Sequence, residues 1–305
     1  MKFISIGVNE YTNESIDYLI NHLNEIENKK ISIKTTLLKA PESSVIICKL
    51  RENKIINTFT ENNYNILKLH ASSVLSDYIV KFYEEKLLTR IINLNYCYFS
   101  IPEKKLILKH AVSHLKANDK ELKYGITPEN RKEIILDKVF QYLDTTNEII
   151  LDGFVNFRMK EYINELEDVV DKAVDSFLLE KEYQEFIKLL RYFVDIQEPK
   201  MEAVHIVSLE NRYLILDSRY NEITNECIQE FLNEIPEEGE INYDDLLVSA
   251  LITMAPLKIY IHSSHKIKNR ELLETIKNVF INKVTLCTGC QLCRLGKLEI
   301  ESLFW

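Results

Sequence analysis

The residues with the most definite chemistry are cysteines. Three of the chain's six fall in "CTGCQLC", at Cys287, Cys290 and Cys293. Two successive C-x-x-C spacings let the sulfurs converge, and Gly289 relieves the backbone of the first turn. Thiolates so arranged suit Zn²⁺ or an iron–sulfur cluster. Three sulfurs do not complete a tetrahedron, however, and the cluster-binding run C-x-x-C-x-x-C-x-x-x-C would need cysteine at position 297, where Lys297 stands.

A fourth ligand depends on the elements around the motif. "LKIYIHS" and "KVTLC" read as strands on either side of a helix from about Asn269 to Phe280, and a connection of that length makes two strands parallel. His262 and Cys287 then finish on the same edge of one sheet, with His265 in the loop just beyond. The expected site is zinc held by Cys287, Cys290, Cys293 and His262. An iron–sulfur cluster is the alternative cofactor, and metal-free thiols serving redox chemistry, or no chemistry, are the third reading. A bound metal is expected to pin the C-terminal tail, which Phe304 and Trp305 would dock by burying aromatic area.

Other constellations carry less. Glu161, Glu165, Asp168, Asp171 and Asp175 step along one helical side, and from Glu161 to Glu182 eight acids face only Lys172 and Lys181. A solvated face opposite an apolar seam is the expected reading. His110 and His114 share a helical face at metalloprotease spacing, but Ala111 stands where that motif has its glutamate base. His205, on an apolar strand, reads as a core or edge histidine. Asn156 and Arg158 lie among apolar neighbours and need partners, so they are expected to tie their helix to another element.

Composition bounds the function classes. The 305 residues are 46% hydrophobic and 28% charged, as in ordinary folded proteins, and the net charge of −9 gives no pull toward nucleic acid or anionic membrane. Lys104, Lys105, Lys109, Lys116, Lys120 and Lys123 form a local basic patch that reads as solvated surface, so no nucleic-acid partner is expected. The 6 glycines fall in no phosphate-cradling array, which argues against P-loop and dinucleotide-binding enzymes. No stretch approaches the roughly 20 apolar residues that span a bilayer, and "MKFISIGVNEY" lacks a signal peptide's apolar core. A cytoplasmic location is expected. Cys48, Cys97 and Cys227, lying singly, read as small core residues of a reducing compartment.

The organisation follows from changes of period. Residues 2–8 read as a strand, a helix begins near Thr12, and "SVIICKL" reads as a second strand, so 1–63 forms a small α/β unit. Residues 64–198 are helical almost throughout, with Thr127 as an N-cap, Pro128 at the first helical position, and seams of Met159, Tyr162, Leu166, Val169 and Ala173, then Tyr183, Phe186, Leu190 and Phe193. Pro199 ends the run. In 199–305 "VHIVSL" and "RYLILDS" suit a hairpin, helices follow at "ECIQEFLNEI" and "YDDLLVSALITMA", and the strand–helix–strand unit closes the domain. The expected fold class is α+β and α-rich: a small N-terminal α/β unit, a central helical region, and a C-terminal α/β unit ending in C-x-x-C-x-x-C.

The stretches "DGFVNFRMKEYINELEDVVDKAVDSFLLEKEYQEFIKLLRYFVDIQEPK" (152–200), "VHIV" (204–207), "NYDDLLVSALITMAPLKIYIH" (242–262) and "CTGCQLC" (287–293) resemble the YtxC-like family of sporulation proteins from spore-forming Firmicutes. The likeness covers roughly the second half of the chain. It implies a setting, sporulation, and supplies no activity, cofactor or catalytic residue. The resulting expectation is a non-enzymatic cytoplasmic protein acting through contacts with unidentified protein partners, with a structural zinc. The alternative is an iron–sulfur or thiol redox enzyme or sensor using the same cysteines.

Overall fold

The computed structural model describes residues 3–9, 12–25, 33–39, 43–50, 61–116, 128–209, 213–224 and 242–295. Its elements are helix-rich, with a small α/β assembly toward each end, as the periodicities predict. The chain forms two compact units, Met1–Leu179 and Glu180–Trp305.

In the first unit, strand β1 (Phe3–Asn9) buries Ile4, Ile6 and Val8 in strict alternation, the period-2 pattern of a half-covered strand. Helix α1 (Asn13–Asn24) starts at a capping box. Thr12 Oγ1 accepts from the Ser15 N–H and Ser15 Oγ accepts from the Thr12 N–H, each at 3.1 Å. Strands β2 (Ile33–Lys39) and β3 (Ser43–Leu50) follow, then helices α2 (Glu61–Phe82), α3 (Glu84–Asn95), α4 (Ile101–Lys116) and α5 (Pro128–Thr145). A three-residue strand, β4 (Glu148–Ile150), leads into α6 (Leu151–Arg158) and the long helix α7 (Lys160–Ile196). The sheet order is β2-β3-β1-β4, antiparallel except for the parallel β1–β4 pair. The sequence reading missed two of these strands. β2 is an edge strand with only Ile33 buried, and β4 is three residues long, so neither carries a periodic signal.

One apolar core joins β1, β3 and helices α1 to α7, with Met159, Tyr162, Leu166, Val169 and Ala173 all buried in it as the first seam predicts. A polar network lies inside this core. Glu84 accepts from the Tyr162 hydroxyl, and Arg131 Nε lies 3.1 Å from the Glu84 carboxylate, an ion pair without an aligned N–H···O bond. Arg131 Nη1 also donates to the Leu115 carbonyl at 3.2 Å. Burial pushes the Glu84 carboxyl up, while Arg131 and the Tyr162 hydroxyl draw it back down.

The lone cysteines divide. Cys48 is fully buried on β3, and burial raises its thiol to about 12. Cys97 is exposed, which corrects its reading as a core residue: it sits in the turn after α3, where no second element covers it. Cys227 lies outside the described residues. At pH 8 a thiol with a pKa of about 12 is ionised to only ~10⁻⁴. Alkylation followed by peptide mapping should therefore modify Cys97 and spare Cys48 in the folded protein, and equal labelling would mean that β3 opens readily.

The second unit contains the end of α7, the hairpin β5 (Ala203–Ser208) and β6 (Tyr213–Leu216), helix α8 (Tyr243–Met254), β7 (Lys258–His262), helix α9 (Arg270–Val279), β8 (Val284–Leu286) and the short helix α10 (Gln291–Leu295). The sheet order is β6-β5-β7-β8, antiparallel at the hairpin and parallel elsewhere. Helix α9 is capped by Asn269, whose side chain accepts from the Glu271 and Leu272 N–H groups, and it buries Leu272, Ile276 and Val279 at spacings of four and three. The second seam on α7 needs correction. Ile187 and Val194 are the buried positions, whereas Tyr183, Phe186 and Phe193 are exposed. This part of the helix is apolar around most of its circumference, so period alone does not select the packed face. The "ECIQEFLNEI" stretch, Thr127, Phe304 and Trp305 lie outside the described residues.

Candidate metal centre

Sheet order does the first part of the positioning. β7 and β8 are parallel neighbours with Ile261 level with Leu286, so His262 and Cys287 are the next residues out on one edge. The Cys287 N–H donates to the Ile261 carbonyl at 2.9 Å, which holds the start of the cysteine loop against the end of β7. Helix α9 is the crossover that returns the chain to that edge, and its cap and buried face are what make the return reproducible.

Two backbone features then aim the sulfurs. Gly289 has φ +145°, a conformation that L side chains rarely adopt, and its N–H donates to Cys287 Sγ. Ser263 sits in the left-handed region at φ 51°, where the chain leaves β7 for a single 3₁₀ turn at Ser264–Lys266, and its N–H donates to Cys293 Sγ. Nothing lies within 4 Å of a Cβ added at Gly289, so Gly289→Ala tests backbone conformation alone. It should cost about 1–3 kcal/mol in the loop and weaken metal binding. Unchanged affinity by chelator competition would mean that the turn relaxes freely.

The four expected ligands converge. His262 Nδ1 lies 3.3 Å from Cys290 Sγ and 3.7 Å from Cys293 Sγ, and the two sulfurs are 3.9 Å apart. One ligand atom from each of His262, Cys287, Cys290 and Cys293 lies within 4.8 Å of every other, a group that can hold a metal ion. A tetrahedral ion with metal–sulfur bonds of about 2.3 Å and metal–nitrogen bonds of about 2.0–2.1 Å has edges of about 3.5–3.8 Å. The donor set is thus of single-ion size. His265 is exposed and lines the pocket beside the cluster with Thr288 and Gln291, but it is not among the four. That pocket, about 590 Å³, opens the thiols to solvent.

The electrostatics favour a cation. On Cys287 the Gly289 N–H lowers the thiol's pKa, but burial and the sulfurs of Cys290 and Cys293 outweigh it and the net shift is upward. On Cys293 burial raises the pKa, but the N–H groups of Cys290 and Ser263 and the neighbouring thiols outweigh it and the net shift is downward. The sulfurs compete for one another's ionisation, and a positive ion between them removes that competition. His262 is lowered by burial first and then by His205, so its ring is neutral, the form that ligates a metal.

His205 was read as a core or edge histidine, and the structure puts it against the site. Its Nδ1 lies 3.1 Å from His262 Nε2, on the side of the ring away from the sulfurs. Strand register explains the placement: His205 is level with Tyr260 on β7, and Val207 with His262. Histidines 57 positions apart give no sequence signal for this contact.

The remaining candidates have ordinary partners. His114 Nε2 lies 3.1 Å from Ser176 Oγ, Lys138 pairs with Glu161 at 2.6 Å, and the Tyr96 hydroxyl donates to Asp171 at 2.6 Å. The acidic side of α7 is thus partly engaged rather than wholly solvated. Asn156 and Arg158 are exposed rather than buried among their apolar neighbours; Asn156 still accepts from Arg90 at 2.6 Å, tying α6 to α3, and Arg158 lies over the Tyr142 ring. Lys104 donates to Asn93, while Lys120 and Lys123 are outside the described residues. Among the described residues no helix is long and apolar enough to cross a membrane.

Comparison with known proteins gives two matches. The family model described as YtxC-like matches residues 69–285. A protein of Bacillus subtilis (strain 168), described as uncharacterized protein YtxC, is 27% identical over 215 residues, which cover 68% of this chain and 74% of that protein. The family match includes His205 and His262 and ends two positions before Cys287. No solved structure matches the chain.

Proposed function

The chain belongs to the YtxC-like family, and on that premise we propose that it is a non-enzymatic cytoplasmic protein of sporulation that binds one zinc ion and acts through protein contacts. The ligands are Cys287, Cys290, Cys293 and His262. The observation that carries the metal reading is the mutual distance of the four donor atoms, none above 4.8 Å. That spacing favours zinc over an iron–sulfur cluster, because a cluster interposes several iron and sulfide atoms between its cysteines and holds them further apart. The ion fastens the loop after β8 to the end of β7, a structural role in which four protein ligands leave no position for substrate.

Protein contact is supported by the second half of α7, where Phe186, Leu189, Tyr192, Phe193 and Ile196 are all exposed. Aromatic and large aliphatic residues clustered on one surface are the usual material of protein interfaces. The sporulation setting rests on the family resemblance. Metal content and an absorption spectrum of protein purified without oxygen or added metal test the reading. About one zinc per chain without colour is the expected result. Iron with sulfide would replace the structural role by redox chemistry, and absence of both metals would remove the site.

A further inference from the structure

We propose that His205 is the positioning residue of this metal centre, holding by one hydrogen bond the orientation of the His262 ring that presents Nδ1 to the metal. The inference rests on the metal-binding reading above and adds to it a specific atom of attachment. His262 is 4% exposed and His205 8%, so neither ring nitrogen facing the other is satisfied by bulk water. The 3.1 Å contact between His205 Nδ1 and His262 Nε2 needs a proton on one of the two atoms. Ligation settles which. His262 Nδ1 faces Cys290 and Cys293 and must offer a lone pair to the metal, so the proton of the neutral ring is on Nε2 and is donated to His205 Nδ1. His205 in turn carries its own proton on Nε2.

His205 cannot be a fifth ligand, because the His262 ring stands between its Nδ1 and the sulfurs. Its own orientation is set by the sheet. The ring stacks on Tyr260 at 4.9 Å and 14° and lies 4.8 Å from the Tyr220 ring, while its backbone is paired with both β6 and β7. The hydrogen bond thus passes the register of three strands to the direction of one metal ligand, and it raises the basicity of that ligand as the partner accepts its proton.

The test is zinc affinity by chelator competition on the full chain, with wild type, His205→Phe and His205→Gln, and a ¹⁵N spectrum of the histidines in the zinc-loaded wild type. His205→Phe keeps a ring to stack on Tyr260 and removes the acceptor. It should weaken zinc binding about 10–100-fold. His205→Gln supplies an amide oxygen and should recover most of that loss. The wild-type spectrum should show His262 ligated through Nδ1 and protonated on Nε2. An affinity of His205→Phe within twofold of wild type overturns the proposal, as does equal weakening in both variants, which would mean packing alone. Ligation of His262 through Nε2 overturns it without any variant. A wild type that binds no zinc would instead remove the metal-binding reading, and the proposal with it.

Discussion

Cys290→Ser should abolish stoichiometric zinc and release the loop after β8, with little change in the first unit. A serine oxygen at the centre of the C-x-x-C-x-x-C run supplies neither the charge nor the softness of a thiolate, and the Cys290 sulfur lies 3.3 Å from His262 Nδ1, closer than that of Cys293. Loss of about 4 kcal/mol of binding, a thousandfold in Kd, is expected. Metal-binding energy is folding energy only for the segment that the metal organises. Here β7 and α9 have an apolar core of their own in Ile259, Ile261, Leu272, Ile276 and Val279. Faster hydrogen exchange should therefore be confined to residues near 284–295, accompanied by a modest fall in melting temperature. The thiols of Cys287 and Cys293 should become open to alkylation, since the site faces an accessible pocket. Wild-type zinc content in Cys290→Ser would sink the metal assignment.

Arg131→Ala should destabilise the first unit at neutral pH by about 3–5 kcal/mol, because it leaves the Glu84 carboxylate buried beside only the Tyr162 hydroxyl. The pH dependence identifies the cause. The folded-state pKa of Glu84 is raised above its ordinary value of 4.5, first by burial, so the folded chain holds this proton more tightly than the unfolded chain does. Its contribution to stability is fully present below the unfolded value and is lost as pH rises through the folded one. Removing Arg131 takes away the largest interaction that lowers the folded value, which shifts the window further upward. The deficit of Arg131→Ala relative to wild type should shrink as pH falls toward 4.5. Glu84→Gln in the Arg131→Ala background should remove most of that pH dependence. Urea denaturation at several pH values measures both, and a deficit independent of pH would assign the loss to packing.

Strong local periodicity was legible. β1, β3, the helix α1 starting near Thr12, the buried seam from Met159 to Ala173, the β5–β6 hairpin and the parallel β7–α9–β8 unit all follow from local pattern and connection length. Where local pattern was weak or ambiguous, reading failed. The edge strand β2 and the three-residue β4 have no period to detect. Cys97 falls in a turn whose exposure no spacing encodes, and the second half of α7 is apolar on too many sides for its packed face to be chosen in advance.

The same boundary runs through the metal centre. The residues themselves pointed to three candidate ligands by their spacing and to a fourth by the length of one crossover, because C-x-x-C turns and strand–helix–strand connections are short-range chemistry. Only the tertiary structure decided the rest. It fixed a mutual donor distance of at most 4.8 Å and brought His205 from a neighbouring strand to the back of the His262 ring. Those choices come from strand register, and register is set by the burial of a whole sheet face rather than by any residue near the site.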